Sequence, residues 1–278
     1  MRRLALCALA PVAFASLGAA QSRTAVEQER REFAAWLQSA PLSPRRAVGV
    51  FSLGDGLSFG PVQAQIPLAG VEPGTLSERG GRIVLTQGPT SRPLTRGRAQ
   101  EVGTWRLLAA GPAGRTTITV FAAQLRAGKA PSWFRYDSSL VFRVALTRAA
   151  APGSLRVLAP EGIEVEATEA GSVSVTLGGK PQTLLVRRLP GSSEEESELE
   201  IYFRDSSNGR TSYPAGRFVS LIPEPGGRFV LDFNRARNPF CAYNTAYPCP
   251  APWRGNAFAV PVLGGERYAG GGLTPPGS

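Results

Sequence analysis

The densest run of chemically capable side chains is Leu231-Asp232-Phe233-Asn234-Arg235-Ala236-Arg237-Asn238-Pro239-Phe240-Cys241-Ala242-Tyr243, closed by Tyr247-Pro248-Cys249-Pro250. Core packing alone does not call for an acid, asparagines, arginines and two cysteines in so short a stretch. Arginine forks pair bidentately with carboxylate or phosphate, so Arg235 and Arg237 beside Asp232 suit either an anionic ligand or an internal ion-pair lock. Asn234 and Asn238 suit a polar contact, or the capping of turns through nearby backbone groups. Tyr243, Tyr247 and Trp253 suit stacking on a planar ligand or, equally, cover for a core.

The chain contains no histidine. That closes the Ser-His-Asp and Cys-His mechanisms, and two cysteines without histidine supply only half of a zinc shell. Any catalysis therefore rests on carboxylates such as Asp205, Asp232 and Glu266, with arginines stabilising charge; a pair of acids would suit glycoside hydrolysis. The expected ligand contacts are Arg204, Asp205, Arg217, Asp232, Asn234, Arg235, Asn238 and Glu266. Three functions follow as expectations: binding of a small anionic or polar ligand, carboxylate-dependent hydrolysis of envelope material, or a structural envelope protein whose motif only locks loops. No metal or cofactor is implied.

These groups must be held by strands. From residue 46 onward, short alternating runs separated by Gly, Pro and Asn predict antiparallel sheets, a sandwich or a barrel-like arrangement. Val48–Phe51, Val62–Ile66, Arg82–Leu85, Thr104–Leu108, Thr116–Phe121, Leu140–Leu146, Ile163–Ala167 and Val173–Leu177 are the first such runs. Glu198–Asp205 alternates cleanly and leads into Asn208-Gly209, a hairpin signal because both residues tolerate positive φ. Arg217–Ile222 and Arg228–Asn234 form a second hairpin through Glu224-Pro225-Gly226-Gly227. In its last strand Phe229, Leu231 and Phe233 share one face, and Val230, Asp232 and Asn234 the other, which puts Asp232 and Asn234 on a pocket rim. Arg204 and Asp205 end one strand and Arg217 starts the next, so the hairpins can bring them towards Asp232, Arg235 and Arg237.

One helix precedes the sheets. Thr24 and Glu27 have capping-box spacing, and Val26, Phe33, Trp36 and Leu37 recur at helical intervals up to Pro41. Before it, Arg2 and Arg3, the apolar run Leu4–Leu17 and Gly18-Ala19-Ala20 read as a signal peptide cleaved near Gln21; the run is shorter than the roughly 20 residues that span a bilayer. The expected organisation is a leader over 1–20, helix and linker over 21–45, a β-rich domain over 46–268 and a flexible tail over 269–278. A secreted or periplasmic protein without a transmembrane segment is expected. In that oxidising setting Cys241 and Cys249 form the expected disulfide.

The 278 residues hold 31 basic and 21 acidic side chains. Only Lys129 and Lys180 are lysines, and the arginines are scattered rather than striped, so nucleic acid is not an expected partner. Glu194, Glu195 and Glu196 sit among serines and read as a solvated loop.

Three blocks carry a family resemblance. They are Trp133-Phe134-Arg135-Tyr136-Asp137 with Arg143-Val144; then Phe203-Arg204-Asp205, Ser207-Asn208-Gly209, Thr211-Ser212-Tyr213 and Gly216-Arg217-Phe218; then Asp232–Ala236, Asn238-Pro239, Cys241-Ala242 and Cys249-Pro250, ending near Gly265-Glu266. Over residues 132–268 the chain resembles the bacterial domain-of-unknown-function family sixteen-eighty-four. It departs from that pattern at Phe240, where the family shows a second proline, and at Gly255-Asn256-Ala257-Phe258, where the family shows Glu-Asn-Arg-Leu. The resemblance implies a shared domain and polar motif and supplies no mechanism.

Overall fold

The computed structural model describes residues 23–268 other than 62, 129 and 191–197, and it is mostly antiparallel β-sheet with one N-terminal helix. The proposed leader and tail, and Glu194–Glu196, lie outside the described residues. The rest divides into two compact units, residues 35–128 and residues 23–34 with 130–268.

Helix α1 (Arg23–Ser39) ends two residues before Pro41 and buries Val26, Phe33 and Leu37, as a 3.6-residue period requires. Thr24 lies inside its first turn, so the expected capping box does not form; Glu27 instead takes the Arg23 guanidinium at 2.6 Å, an i,i+4 pair.

In the first unit, β1 (Ala47–Ser52), β2 (Leu57–Gly60), β3 (Ile66–Pro67), β4 (Gly74–Arg79), β5 (Arg82–Gln87), β6 (Thr90–Leu94), β7 (Gln100–Val102), β8 (Trp105–Ala110) and β9 (Thr117–Phe121) form two sheets, β1-β9-β8-β7 and β3-β2-β4-β5-β6. Their inner faces share one apolar cluster, including Phe59, Leu76, Leu85, Leu107 and Ile118, so the unit is a β-sandwich. The strand expected over Val62–Ile66 shrinks to β3, because Gln63–Gln65 form a turn fastened to Ser58.

The second unit contains β10 (Ser132–Trp133), β11 (Val141–Ala145), β12 (Thr147–Arg148), β13 (Ser154–Leu158), β14 (Glu164–Leu177), β15 (Lys180–Leu189), β16 (Glu198–Phe203), β17 (Arg217–Glu224), β18 (Arg228–Asp232) and β19 (Glu266–Arg267). Its main sheet runs β11-β18-β17-β16-β15-β14-β12, and β12 continues the chain of β11, so the sheet curls back into a barrel-like form. Two expected strands prove to be one: β14 runs through both, with a register shift between Glu169 and Gly171. Gly171 has φ +137°, and a Cβ there would lie 2.0 Å from the Thr147 carbonyl oxygen, so the sharp bend admits no side chain.

Val175, Leu184, Ile201, Phe203, Leu231 and Phe233 fill the barrel as a packed core. Functional groups are therefore confined to its rim and outer face. The β16–β17 connection is a folded loop rather than a tight Asn-Gly hairpin: of the Asn208-Gly209 pair only Gly209 takes positive φ, and the Asn208 side chain accepts the Asp205 N–H at 2.6 Å. The β17–β18 turn uses Gly226 and Gly227 at positive φ, as its sequence predicts.

Candidate functional site

Asp205 follows β16 and Arg217 opens β17, and the antiparallel pairing of the two strands brings them together. Arg217 donates to Asp205 Oδ2 at 2.8 Å, and both side chains are 0% exposed. The guanidinium also donates to the carbonyls of Gly264 at 2.5 Å, Val262 at 2.8 Å and Glu266 at 3.3 Å. Asp205 Oδ1 accepts from Ser207 N at 2.8 Å and Val262 N at 3.2 Å. Burial pulls the Arg217 pKa down from its ordinary value and the Asp205 charge opposes this. The pair ties residues 262–266 to the barrel and offers no open fork to a ligand.

Asp232 ends β18, and residues 233–235 then turn as a 3-10 segment, so Asn234 leaves the expected strand phase. Asp232 is 1% and Asn234 0% exposed; neither stands on a rim. Asn234 pairs with the Asp137 backbone as a second peptide would, accepting its N–H and donating to its carbonyl, each at 2.8 Å. Asp232 Oδ1 accepts from Asn234 N and Nδ2. Arg235 lies 3.3 Å from Asp232 Oδ2 and bonds Glu29 of α1, while Arg30 donates to the carbonyls of Asn234 and Phe134 and lies over Trp133. The first turns of α1 therefore close over this part of the motif.

Glu266, on β19, is fixed from three sides. Its N–H donates to Ala236 O at 2.7 Å, its Oε2 accepts from Asn238 N at 2.9 Å, and its Oε1 accepts the Tyr243 hydroxyl. Burial pushes its carboxyl up to about 7 despite those bonds and the Arg237 charge, and burial and then Glu266 push the Tyr243 phenol up. Asn238 donates through Nδ2 to Arg267 O. Nearby on the outer face of β16–β17, Glu200 is 5% exposed, takes Ser220 Oγ at 2.5 Å and leaves Oε2 without a hydrogen bond. Burial, and then Glu198, hold its carboxyl well above the usual range. Arg237 pairs its backbone with Phe218 and sets its guanidinium 5.1 Å over Phe33.

The expected residues thus separate into three clusters: Asp205–Arg217, Asp232–Asn234–Arg235, and Asn238–Glu266. Arg204 joins none. Its backbone bonds Asn256 and Phe258 while its side chain is exposed without an ion pair among the described residues. Cys241 and Cys249 form a disulfide with Cα atoms 5.4 Å apart, beside the Tyr213 hydroxyl. Tyr247 and Trp253 are buried cover, Trp253 packing on Tyr202 and under Arg187. Sequence reasoning missed Arg30, Glu200 and Asn256. The alternation of Glu198, Glu200 and Tyr202 does place Glu200 on the outer face, but nothing local reveals that it is buried there with Arg237 nearby.

Among proteins of curated function none matches the chain. Among solved structures, an uncharacterised protein of Haloarcula marismortui determined by NMR is 29% identical, with 50% of this chain and 76% of that chain covered and a TM-score of 0.43. The family model described as "Protein of unknown function (DUF1684)" matches residues 129–267, which contain the barrel-like sheet and all three polar clusters. The chain belongs to the DUF1684 family.

Proposed function

We propose that the protein is an exported binding protein for a small anionic or polar ligand, and that the ligand is taken up beside Arg237. One observation carries the proposal. The Arg237 guanidinium has neither a hydrogen bond nor an ion pair among the described residues, although it sits near three carboxyls, those of Glu161, Glu200 and Glu266. Burial drives all three towards their neutral forms, so the permanent arginine charge is only partly compensated. An incoming anion would complete it by a bidentate contact. The leader over residues 1–20 supports export.

A structural role is the second reading, and the buried Arg217–Asp205 pair favours it, because such pairs hold loops without presenting a contact surface. Support for a hydrolase is thinner. Glu266 near 7 has a value suited to a general acid, but Asp205 and Asp232 are both spent on internal hydrogen bonds.

A thermal-shift panel of phosphate, sulfate, citrate and small carboxylates tests the reading. A ligand at 100 times its Kd adds about 2.7 kcal/mol to the folded state, and Arg237→Ala should abolish the shift. No shift with any anion, or a shift retained by the variant, returns the motif to a structural role.

A further inference from the structure

The first unit contains ten arginines and four carboxylates between residues 35 and 128, a net +6. Part of that charge is arranged unfavourably. The β4–β5 hairpin turns through Gly80 and Gly81, at φ +54° and +76°, and its register sets Arg79 directly opposite Arg82. Like charges facing each other across an antiparallel pair are destabilising. Both side chains are exposed, and neither has a hydrogen bond or ion pair among the described residues.

These arginines stand on the outward face of the β3-β2-β4-β5-β6 sheet. The register places Ser77 and Thr75 on the same side of β4, and Val84 with its partner Pro93 beside them. The strands of this sheet contain one acid, Glu78. It pairs with Ile83 on the opposite, inward side, where it takes Arg96 and Thr116. Two hollows mark the outward face. One, of about 590 Å³, is lined by Arg82, Val84, Ser91, Pro93 and Thr95 among others. The second, of about 780 Å³, is lined mainly by Phe59, Pro61, Ala64 and Pro73, with Thr75 and with Ser58, whose hydroxyl already bonds Gln65.

We infer that this face binds an anionic polysaccharide, with acidic groups held by the Arg79–Arg82 pair and sugar hydroxyls by Ser91 and Thr95 of the first hollow and Thr75 of the second. An anion bridging the two forks would turn the cross-strand repulsion into attraction, and hydroxyl side chains both donate to and accept from sugar hydroxyls. The strand residues facing outward include no aromatic ring for stacking bases, which disfavours single-stranded nucleic acid. Nor do they include a large exposed apolar side chain for insertion into a bilayer; Leu263, in the second unit, is the one found among the described residues.

Binding of the full chain to polygalacturonate tests this, with dextran as the neutral polymer and phosphatidylglycerol vesicles and single-stranded DNA as the other anions. Expected are binding to polygalacturonate that weakens with salt, none to dextran, and weaker binding to vesicles and DNA. Arg79→Ala with Arg82→Ala should lower the affinity about tenfold or more, since each lost charged hydrogen bond is a substantial fraction of the free energy that a factor of ten represents. Arg126→Ala, a change of exposed charge outside the sheet, should stay within about twofold. Without ligand, the double variant should melt no lower than the parent, because the repulsion is relieved. No binding to polygalacturonate, tighter binding to vesicles or DNA, equal losses in Arg126→Ala, unchanged affinity in the double variant, or a lower melting temperature for it would each overturn the inference.

Discussion

Removing Asp205 should damage the protein more than removing both members of its ion pair. In Asp205→Ala the Arg217 guanidinium stays 0% exposed with three carbonyls for company and only the partly neutral Glu266 as counter-charge. Its Nε already lacks a hydrogen bond. Breaking a buried pair from one side costs about 3–5 kcal/mol, whereas replacing both partners with apolar groups of similar volume is often close to neutral. For a unit of this size, 1 kcal/mol moves Tm by about 2–4 °C, so Asp205→Ala should lower the transition of the second unit by roughly 6–20 °C. Arg217→Met should cost less: Asp205 keeps the N–H groups of Ser207 and Val262. Asp205→Ala combined with Arg217→Met should recover part of the loss, leaving a coupling of several kcal/mol in the double-mutant cycle. Near-ultraviolet circular dichroism during thermal and urea unfolding reads the tertiary signal. If Asp205→Ala costs less than about 1 kcal/mol, or the double variant falls at the sum of the singles, the pair is not the lock described.

Three further outcomes follow from neighbouring contacts. Glu266 ionises near 4.5 when unfolded and near 7 when folded, so the folded state holds an extra proton between those values. The resulting stability, about 3 kcal/mol, is complete below pH 4.5 and is lost as pH rises through 7. Melting curves from pH 5 to 8 should show that decline, and Glu266→Gln should make it shallower, leaving the slope that Glu200 contributes in the same direction. Reducing the Cys241–Cys249 disulfide, or changing both cysteines to serine, releases a loop of sequence separation 8 and should cost about 2.5 kcal/mol, measured as a drop in Tm with and without dithiothreitol. Asn256→Ala should cost about 2–4 kcal/mol in urea unfolding, because its buried amide serves Leu185 N, Leu185 O and Tyr202 O at once and each backbone group would be left unpaired; a loss under 1 kcal/mol would mean water replaces it.

The legible parts of this fold are those set by local period and turn chemistry. The alternation in Glu198–Asp205 and Arg228–Asp232, and the glycines at 226 and 227, place β16, β17 and β18 correctly. Pairing of Asp205 with Arg217 follows from one hairpin register. What could not be read is cover. Asp232 points away from the barrel core as its strand phase requires, and Asn234 follows it in a 3-10 turn, yet both are buried, because α1 brings Glu29 and Arg30 some two hundred residues along the chain to meet this segment. Period-2 patterning says which way a side chain points and nothing about what lies there.

That distinction also decides which polar groups remain available for function. Asp205, Arg217 and Asn234 hold backbone from distant segments, so most of their hydrogen-bonding capacity is taken up by chain closure. Arg237 spends only its backbone on closure, and Arg79 and Arg82 spend theirs on a hairpin. In all three the guanidinium is left over. A side chain whose backbone does the structural work can change its partner without unfolding the protein, and for that reason these arginines, rather than the buried motif, are where a ligand can be exchanged. The contrast is measurable: Arg237→Ala and Arg79→Ala should leave the melting temperature within about 1–2 °C of the parent, as surface changes do. If either variant melts as low as Asp205→Ala, its guanidinium is structural and the site assigned to it fails.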